Sequence, residues 1–334
     1  MKQRILITSF LLVLTIGLVA CDGAGSAPTA TPELSPVPSA TPEPPASPTP
    51  APTSTPEPQM VTLTDDIGNT VEIEGSVERI VSLAPSNTEI AFALGLGDRV
   101  VGVTEFCDHP PEALEIAKIG DMEPNLEQIV ALDPDLVLGI GGEPVSPAIG
   151  QLQGLGLTVL VLEPTDLESM YHDIDLMGQA TGVEEQAAEL VADMRARVEA
   201  ITSVTADVAD RPVVFYELDA TDPGRPWTVG PNSWHDEFIQ MAGGVNLAGT
   251  QESAWVQLSA EEIVAQDPEV IILGDAAWGV SPESVAERPG WEVISAVQNG
   301  RVYPIDDNLV SRPGPRVVEG IEELARLIHP ELFE

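Results

Sequence analysis

The chain has 334 residues, enough for two lobes of ordinary size, and 43% of it is apolar, as in a folded protein. It carries 54 acidic against 14 basic residues, a formal net charge of −40. Such a surface repels phosphate backbones and anionic headgroups, so nucleic-acid binding is set aside as its work.

Met1-Lys2-Gln3-Arg4 followed by an apolar run from Ile5 to Val19 reads as an export signal over residues 1–20, too short for a comfortable membrane span. Leu18-Val19-Ala20-Cys21 is similar to the lipobox of bacterial lipoproteins, which makes Cys21 the expected site of lipid attachment. Residues 21–60 are then a tether rich in Pro, Thr, Ser, Ala and Glu. At about 3.1 Å per residue it reaches on the order of 100 Å and cannot bury a core. Cys107 has no partner left for a disulfide and is expected to be a small buried side chain.

Val61–Thr64 and Thr70–Ile73, around Asp65-Asp66-Ile67-Gly68-Asn69, read as a hairpin. Strand and helix then alternate: strands at Ile80–Leu83, Val100–Val103, Leu136–Gly139 and Thr158–Leu162, with Ser86-Asn87-Thr88-Glu89 expected to cap a helix that ends at Gly95. This alternation predicts an α/β lobe over 61–182 with a mainly parallel sheet covered on both faces. From 183 to 206, apolar Val183, Ala187, Leu190, Val191, Met194, Val198 and Ile201 recur at helical spacing without Pro or Gly, which predicts a long connecting helix. A second α/β lobe over 207–334 includes strands at Pro212–Tyr216, Val270–Leu273 and Val302–Ile305 and closes with an amphipathic helix from about Arg316 to Ile328.

One stretch occurs twice. Residues 125–138, NLEQIVALDPDLVL, are echoed by residues 259–272, SAEEIVAQDPEVII. Each copy opens on a good N-cap, Asn125 or Ser259, with Gln128 or Glu262 at the capping-box position, and ends at Asp-Pro before a short apolar strand. The duplication points to two similar lobes.

No phosphate loop, complete dinucleotide fingerprint, H-E-x-x-H, C-x-x-C or G-x-S-x-G elbow is present, which argues against an enzyme. Gly139-Ile140-Gly141-Gly142 marks a tight turn at a strand end. His109, His172, His235 and His329 are scattered without ligand spacing and are read as surface or capping residues, so no metal site is expected. Large planar groups and a few cations instead fall in predicted loops at strand ends, where open α/β sheets bind ligands: Phe106, Trp227, Trp255, Trp278, Arg312 and Arg316.

Six motifs in order, Asp65–Asn69, Ile80–Glu89, Pro124–Glu127, Arg288–Trp291, Asn299–Tyr303 and Arg312–Arg316, resemble the substrate-binding lipoproteins of ABC importers for vitamin B12, haem and ferric siderophores. The resemblance spans about residues 61–330. It implies two Rossmann-like lobes joined by one long helix, a ligand in the cleft with little hinge motion, and no resident cofactor. It also implies an ABC permease that docks on one glutamate per lobe, here Glu127 and Glu261. The similarity is greatest to cobalamin binders, whose aromatic and arginine contacts match Phe106, Trp227, Trp255 and Arg312. With Trp278 and the strand-end residues Ser86 and Asn308, these form the expected ligand set. Asp121 and Ile140 stand where the resemblance would place tryptophan, and Asn308 where it would place aspartate, so haem or a ferric siderophore remains open as ligand. The expectation is a monomeric, lipid-anchored receptor outside the cytoplasmic membrane, periplasmic in a two-membrane cell. The rivals are a sensory lipoprotein and a surface enzyme using the same cleft.

Overall fold

In the computed structural model, residues 60–142 and 145–333 are described; Cys21, the expected signal segment and the expected tether up to residue 59 lie outside them, while Met60 already belongs to the first strand. The expected hairpin is present as β1 (Met60–Thr64) and β2 (Thr70–Glu74), paired antiparallel. In the first lobe β3 (Ile80–Ser82), β4 (Val100–Val103), β5 (Leu136–Ile140) and β6 (Val159–Leu162) form a sheet in the order β4-β3-β5-β6, parallel throughout.

The second lobe contains β7 (Val213–Asp219), β8 (Trp227–Val229), β9 (Val245–Asn246), β10 (Trp255–Gln257), β11 (Val270–Leu273) and β12 (Val302–Pro304). Strands β9, β7, β11 and β12 are parallel, but β8 and β10 add antiparallel to the β7 side, so this sheet is mixed. Trp227 and Trp255 therefore lie in short strands, Trp227 in β8 between β7 and β10 and Trp255 in the edge strand β10, not in loops as the sequence suggested. Three-residue strands carry too little periodicity to be seen without their partners.

The alternation of side chains along the strands builds the layers. Ile80, Leu136 and Leu138 of the first lobe and Val214, Tyr216, Val270 and Ile272 of the second join one continuous core with Ala187, Val191, Met194, Val198 and Ile201 of the connecting helix Glu184–Thr205. The residues between them, Val81 and Val137 in one lobe and Phe215, Ile271 and Leu273 in the other, face two separate outer cores. The connecting helix packs on the first-lobe helix Leu167–Thr181 and on the second-lobe helices Val317–Ile328 and Trp234–Met241. Arg195 pairs with Glu168 on one side of it and Arg197 with Glu322 on the other. Each fully buried aliphatic side chain of its stripe contributes about 1.5–3 kcal/mol, so the helix is held by both lobes.

The duplicated stretches fold alike. Helices Leu126–Ala131 and Ala260–Gln266 are capped by Asn125, which accepts from Gln128 N–H at 3.1 Å, and by Ser259, whose box with Glu262 is complete. Asp133 and Asp267 both take φ of 48°, left-handed and not the extended backbone expected before proline. Two residues on, Asp135 Oδ2 accepts from Arg79 N–H at 2.9 Å and Glu269 Oε2 from Val213 N–H at 3.1 Å, each sewing the repeat to the neighbouring strand. The first helix among the described residues begins at Pro85 with Ala84 as an N-cap that makes no side-chain bond, so Ser86 to Glu89 form its first turn and do not cap it. The free Cys107 is fully buried, as expected.

The Asp65–Asn69 turn is pinned to the first sheet: Asp66 N–H donates to Val161 O, and Glu163 N–H donates to Asp66 Oδ2 at 2.6 Å. Beside it, on the helix Leu167–Thr181, Asp173 is buried, with Oδ1 lacking a hydrogen-bond partner among the described residues. Burial, and then the Asp66 carboxyl, push Asp173 up to about 9. A carboxyl whose folded pKa exceeds its unfolded value keeps a proton that the unfolded chain gives up, so it costs stability as pH rises from about 4 toward 9. Asp173→Asn, which keeps a donor toward Asp66, is expected to raise the melting temperature at about pH 8 and leave it unchanged near pH 4; scanning calorimetry at the two pH values checks this.

Candidate ligand-binding cleft

Parallel strands deliver their C-terminal ends, and the loops after them, to one side of each lobe, and these loops meet. Glu89, on the helix Pro85–Ala93 that follows β3, is buried with only 2% of its side chain exposed. Arg316 of the other lobe grips it with two bonds, Nε to Oε2 at 2.9 Å and Nη2 to Oε1 at 2.6 Å. Arg312 reaches Glu89 Oε1 at 3.5 Å, Phe106 O at 3.4 Å and both carboxylate oxygens of Asp108, which it holds below the usual carboxylate range. Gly314 lies flat against the first turn of the same helix, where an added Cβ would sit 3.4 Å from Ser86 O. Arg312 thus spends its charge on first-lobe carboxylates across the lobe boundary, although sequence alone placed it as a ligand contact.

In the first lobe Ser86 is buried beneath this crossing, and Phe106, after β4, is about half exposed. Asn87 Nδ2 donates to Gly139 O at 2.8 Å, tying the helix to the end of β5. Gly142, just past β5, has φ of 83°, the left-handed backbone that favours glycine. The expected tight turn after β5 is therefore real.

The second lobe supplies an aromatic ledge. Trp255 pairs with Val229 and Gln257 with Trp227, so both tryptophans lie on one face of the β8-β10 ribbon, each 41% exposed. Trp255 meets Trp234 edge-on at 6.1 Å and His235 at 5.7 Å, while His235 stacks on Trp234 at 5.5 Å and abuts Tyr216 at 5.3 Å. These supports also hold the short helix Asn308–Ser311 before Arg312: Trp234 Nε1 donates to Val310 O at 2.8 Å, His235 Nε2 lies 3.0 Å from Ser311 Oγ, and Tyr216 OH donates to Asp307 Oδ1 at 2.7 Å. Burial pulls His235 down to about 3 and keeps it neutral. His235 and His329 are buried rather than on the surface; His329 is nevertheless a capping residue, the C-cap of the helix Val317–Ile328, and its Nε2 lies 3.1 Å from Gly243 O. Trp234, His235 and Tyr216 were not singled out from sequence, and the only local signal was the Ser233 cap that turns Trp234 and His235 inward together. Asn308 is tied to Asp306 at 2.9 Å, and Trp278, ending a 3-10 turn after β11, is 89% exposed.

Glu127 and Glu261 occupy the same place in the two repeats, in the first turn of each helix. Both are exposed, and neither has a hydrogen-bond or ion-pair partner among the described residues. They stand apart from the cleft set, as two carboxylates presented by helix N-termini.

The family model described as Periplasmic binding protein matches residues 80–309. The chain belongs to this family of solute-binding proteins. An uncharacterized ABC transporter substrate-binding lipoprotein, YvrC, of Bacillus subtilis is 38% identical over 82% of this chain and 87% of its own length. The vitamin B12 binding protein BtuF of Vibrio cholerae superimposes with a TM-score of 0.66 and 29% identity over 76% of this chain and 97% of that one. The haem-binding protein RhuT of Roseiflexus sp. RS-1, in apo form, gives 0.69 and 29% over 77% and 99%. The relatives are not enzymes, and this binding protein is not one either.

The charge of the cleft follows from its loops. Glu105 follows β4, Glu163 follows β6, Asp219 ends β7, Asp275 follows β11 and Asp306 follows β12. Among the described residues, every lysine and arginine except Arg211 and Arg225 is held by a carboxylate or a main-chain carbonyl. Arg211 lies at the opposite end of β7, and Arg225 in the loop entering β8. The cleft of this binding protein offers aromatic faces and carboxylates, with its two central arginines already neutralised.

Removing one partner of a buried ion pair leaves the other charge uncompensated, at a cost of about 3–5 kcal/mol. Glu89→Ala is expected to lose that much in urea unfolding, whereas Glu168→Ala, in an exposed pair with Arg195, loses about 0–1 kcal/mol.

Proposed function

We propose that this binding protein captures cobalamin or a related corrinoid outside the cytoplasmic membrane and hands it to an ABC permease. The observation that carries the reading is the pairing of a flat ledge, Trp227 and Trp255, with a rim of carboxylates and no free central cation. A large planar ligand is favoured by the tryptophan faces. One whose periphery carries uncharged amide donors suits the acidic rim, whereas carboxylates on haem or an anionic chelate would meet like charge. The vitamin B12 binding relative supports the same reading, and the haem-binding relative keeps haem as the second one.

In this reading Phe106 closes the ledge from the first lobe, Trp278 and Asn308 line the second-lobe rim, and Ser86 shapes the floor. Arg312 contacts the ligand while anchored by Asp108. Acyl chains on Cys21 hold the receptor, as a monomer, at the membrane, each buried methylene contributing about 0.8 kcal/mol. The first test is retention of colour. The protein is mixed separately with cobalamin, haem and ferric siderophores and desalted. Near-equimolar cobalamin in the protein fraction is expected; retention of haem or a siderophore alone overturns the corrinoid assignment.

Glu127 and Glu261 would dock on the permease. Truncating one partner of a desolvated interfacial pair costs about 2–5 kcal/mol. The double substitution Glu127→Ala with Glu261→Ala is expected to leave ligand affinity unchanged and abolish uptake, read by transport of labelled ligand into cells. A large loss of ligand affinity would contradict the docking role.

A further inference from the structure

A cavity of about 370 Å³ opens between the C-terminal ends of the neighbouring strands β7 and β11. Asp219, Ala220, Asp275, Trp278 and Val280 line it. Three features set it apart from an ordinary surface dent. Asp275 is 4% exposed; its Oδ2 accepts from Ala220 N–H at 2.9 Å, but its Oδ1 has no hydrogen-bond partner among the described residues. Such a buried acceptor is costly unless something donates to it. Behind it stands Glu217, fully buried and already gripped at both oxygens by Arg288, so Arg288 is not free to turn to Asp275. At the rim, Trp278 is 89% exposed, an indole that covers nothing of its own lobe.

The cavity is continuous with the ledge's foundations. Gly274, just before Asp275, packs so closely that a Cβ would stand 2.8 Å from the Tyr216 hydroxyl and 2.9 Å from Asp307 Oδ1, the pair beneath His235 and Ser311. A ligand resting on Trp255 and Trp227 thus has this cavity at the ends of the strands next to them.

We infer that the Asp219–Asp275–Trp278 cavity is a subsite for an N–H donor on the ligand's periphery, a primary carboxamide or an ammonium, and that it rejects a carboxylate at the same place. The inference rests on the ligand reading above for which molecule carries that group. The donor satisfies Asp275 Oδ1, Asp219 flanks it, and the Trp278 face covers the group, favouring a cation or an amide edge over an anion. A carboxylate there would bring like charge against Asp219 and Asp275 and leave Oδ1 still unmet.

The test uses the full chain in detergent, titrated with cobalamin and with its isomeric monoacids, in each of which one peripheral carboxamide is hydrolysed to a carboxylate. One isomer is expected to bind about tenfold more weakly than cobalamin, and Asp275→Asn, which offers a donor in place of an acceptor, to bring that isomer back to within about threefold. Equal binding of all isomers by the unaltered protein overturns the subsite, as does a penalty that survives both Asp275→Asn and Asp219→Asn. In parallel, butylammonium and butyrate are titrated while indole fluorescence is followed, with Trp278→Phe as the blank. A response to butylammonium alone, lost in Asp275→Asn, supports the subsite whether or not any corrinoid is retained. If cobalamin is retained and the isomers bind alike, the ligand reading survives and the subsite falls. If no corrinoid is retained, the ligand reading falls, and the subsite stands or falls with the butylammonium response.

Discussion

The arrangement of the cleft depends on one carboxylate. Glu89 sits on the first helix of one lobe and is grasped by Arg316, and more loosely by Arg312, from the far end of the chain. Burying it costs desolvation that only a well-made, charge-assisted bidentate bond can offset, and Arg316 supplies that bond. The crossing brings the Arg312–Arg316 loop down onto the first lobe and fixes Asp108 and Phe106 beside it. Since Trp234, His235 and Tyr216 hold the residues just before Arg312, the aromatic ledge is referenced through the same loop to the first lobe.

Much of this was legible in the sequence where the signal is local. The capped helix, Asp-Pro and apolar strand of the two repeats are local patterns, and they fold as near copies down to the same left-handed aspartate. The connecting helix was legible because its stripe of Ala187, Val191, Met194, Val198 and Ile201 repeats every three or four residues. The hairpin, and the turn after β5 at Gly142, were legible for similar reasons.

The site was less so, because it is made of long-range contacts. Phe106, Trp227, Trp255 and Trp278 were found by their rarity, by their predicted place in loops at strand ends and, for the first three, by the family resemblance. That Trp227 and Trp255 share one face follows from antiparallel pairing across 28 positions, which neither three-residue strand announces. The charge on Arg312 reads as available until Asp108, 204 positions away, is seen to take it. His235 looks like any solitary histidine until Ser311, Trp255 and Tyr216 close around it. In each case the residue type is visible and its partner is not.

The connecting helix and the Glu89 crossing have a joint mechanical consequence. A body attached to another along a rod can still rock about several axes, and a second fastening away from the rod removes all but one of them. Here the rod is Glu184–Thr205, shared by the cores of both lobes, and the second fastening is Glu89 with Arg312 and Arg316. Leu167 N–H of the first lobe also donates to Glu237 Oε2 of the second at 3.0 Å, so the lobes are fastened at more than one place besides the rod. The lobes need not search for their closed arrangement, so little ordering is left for the ligand to supply. Prising them apart at this edge means breaking the ion pairs of the buried Glu89, so the cleft is held shut by charge as well as by the shared helix.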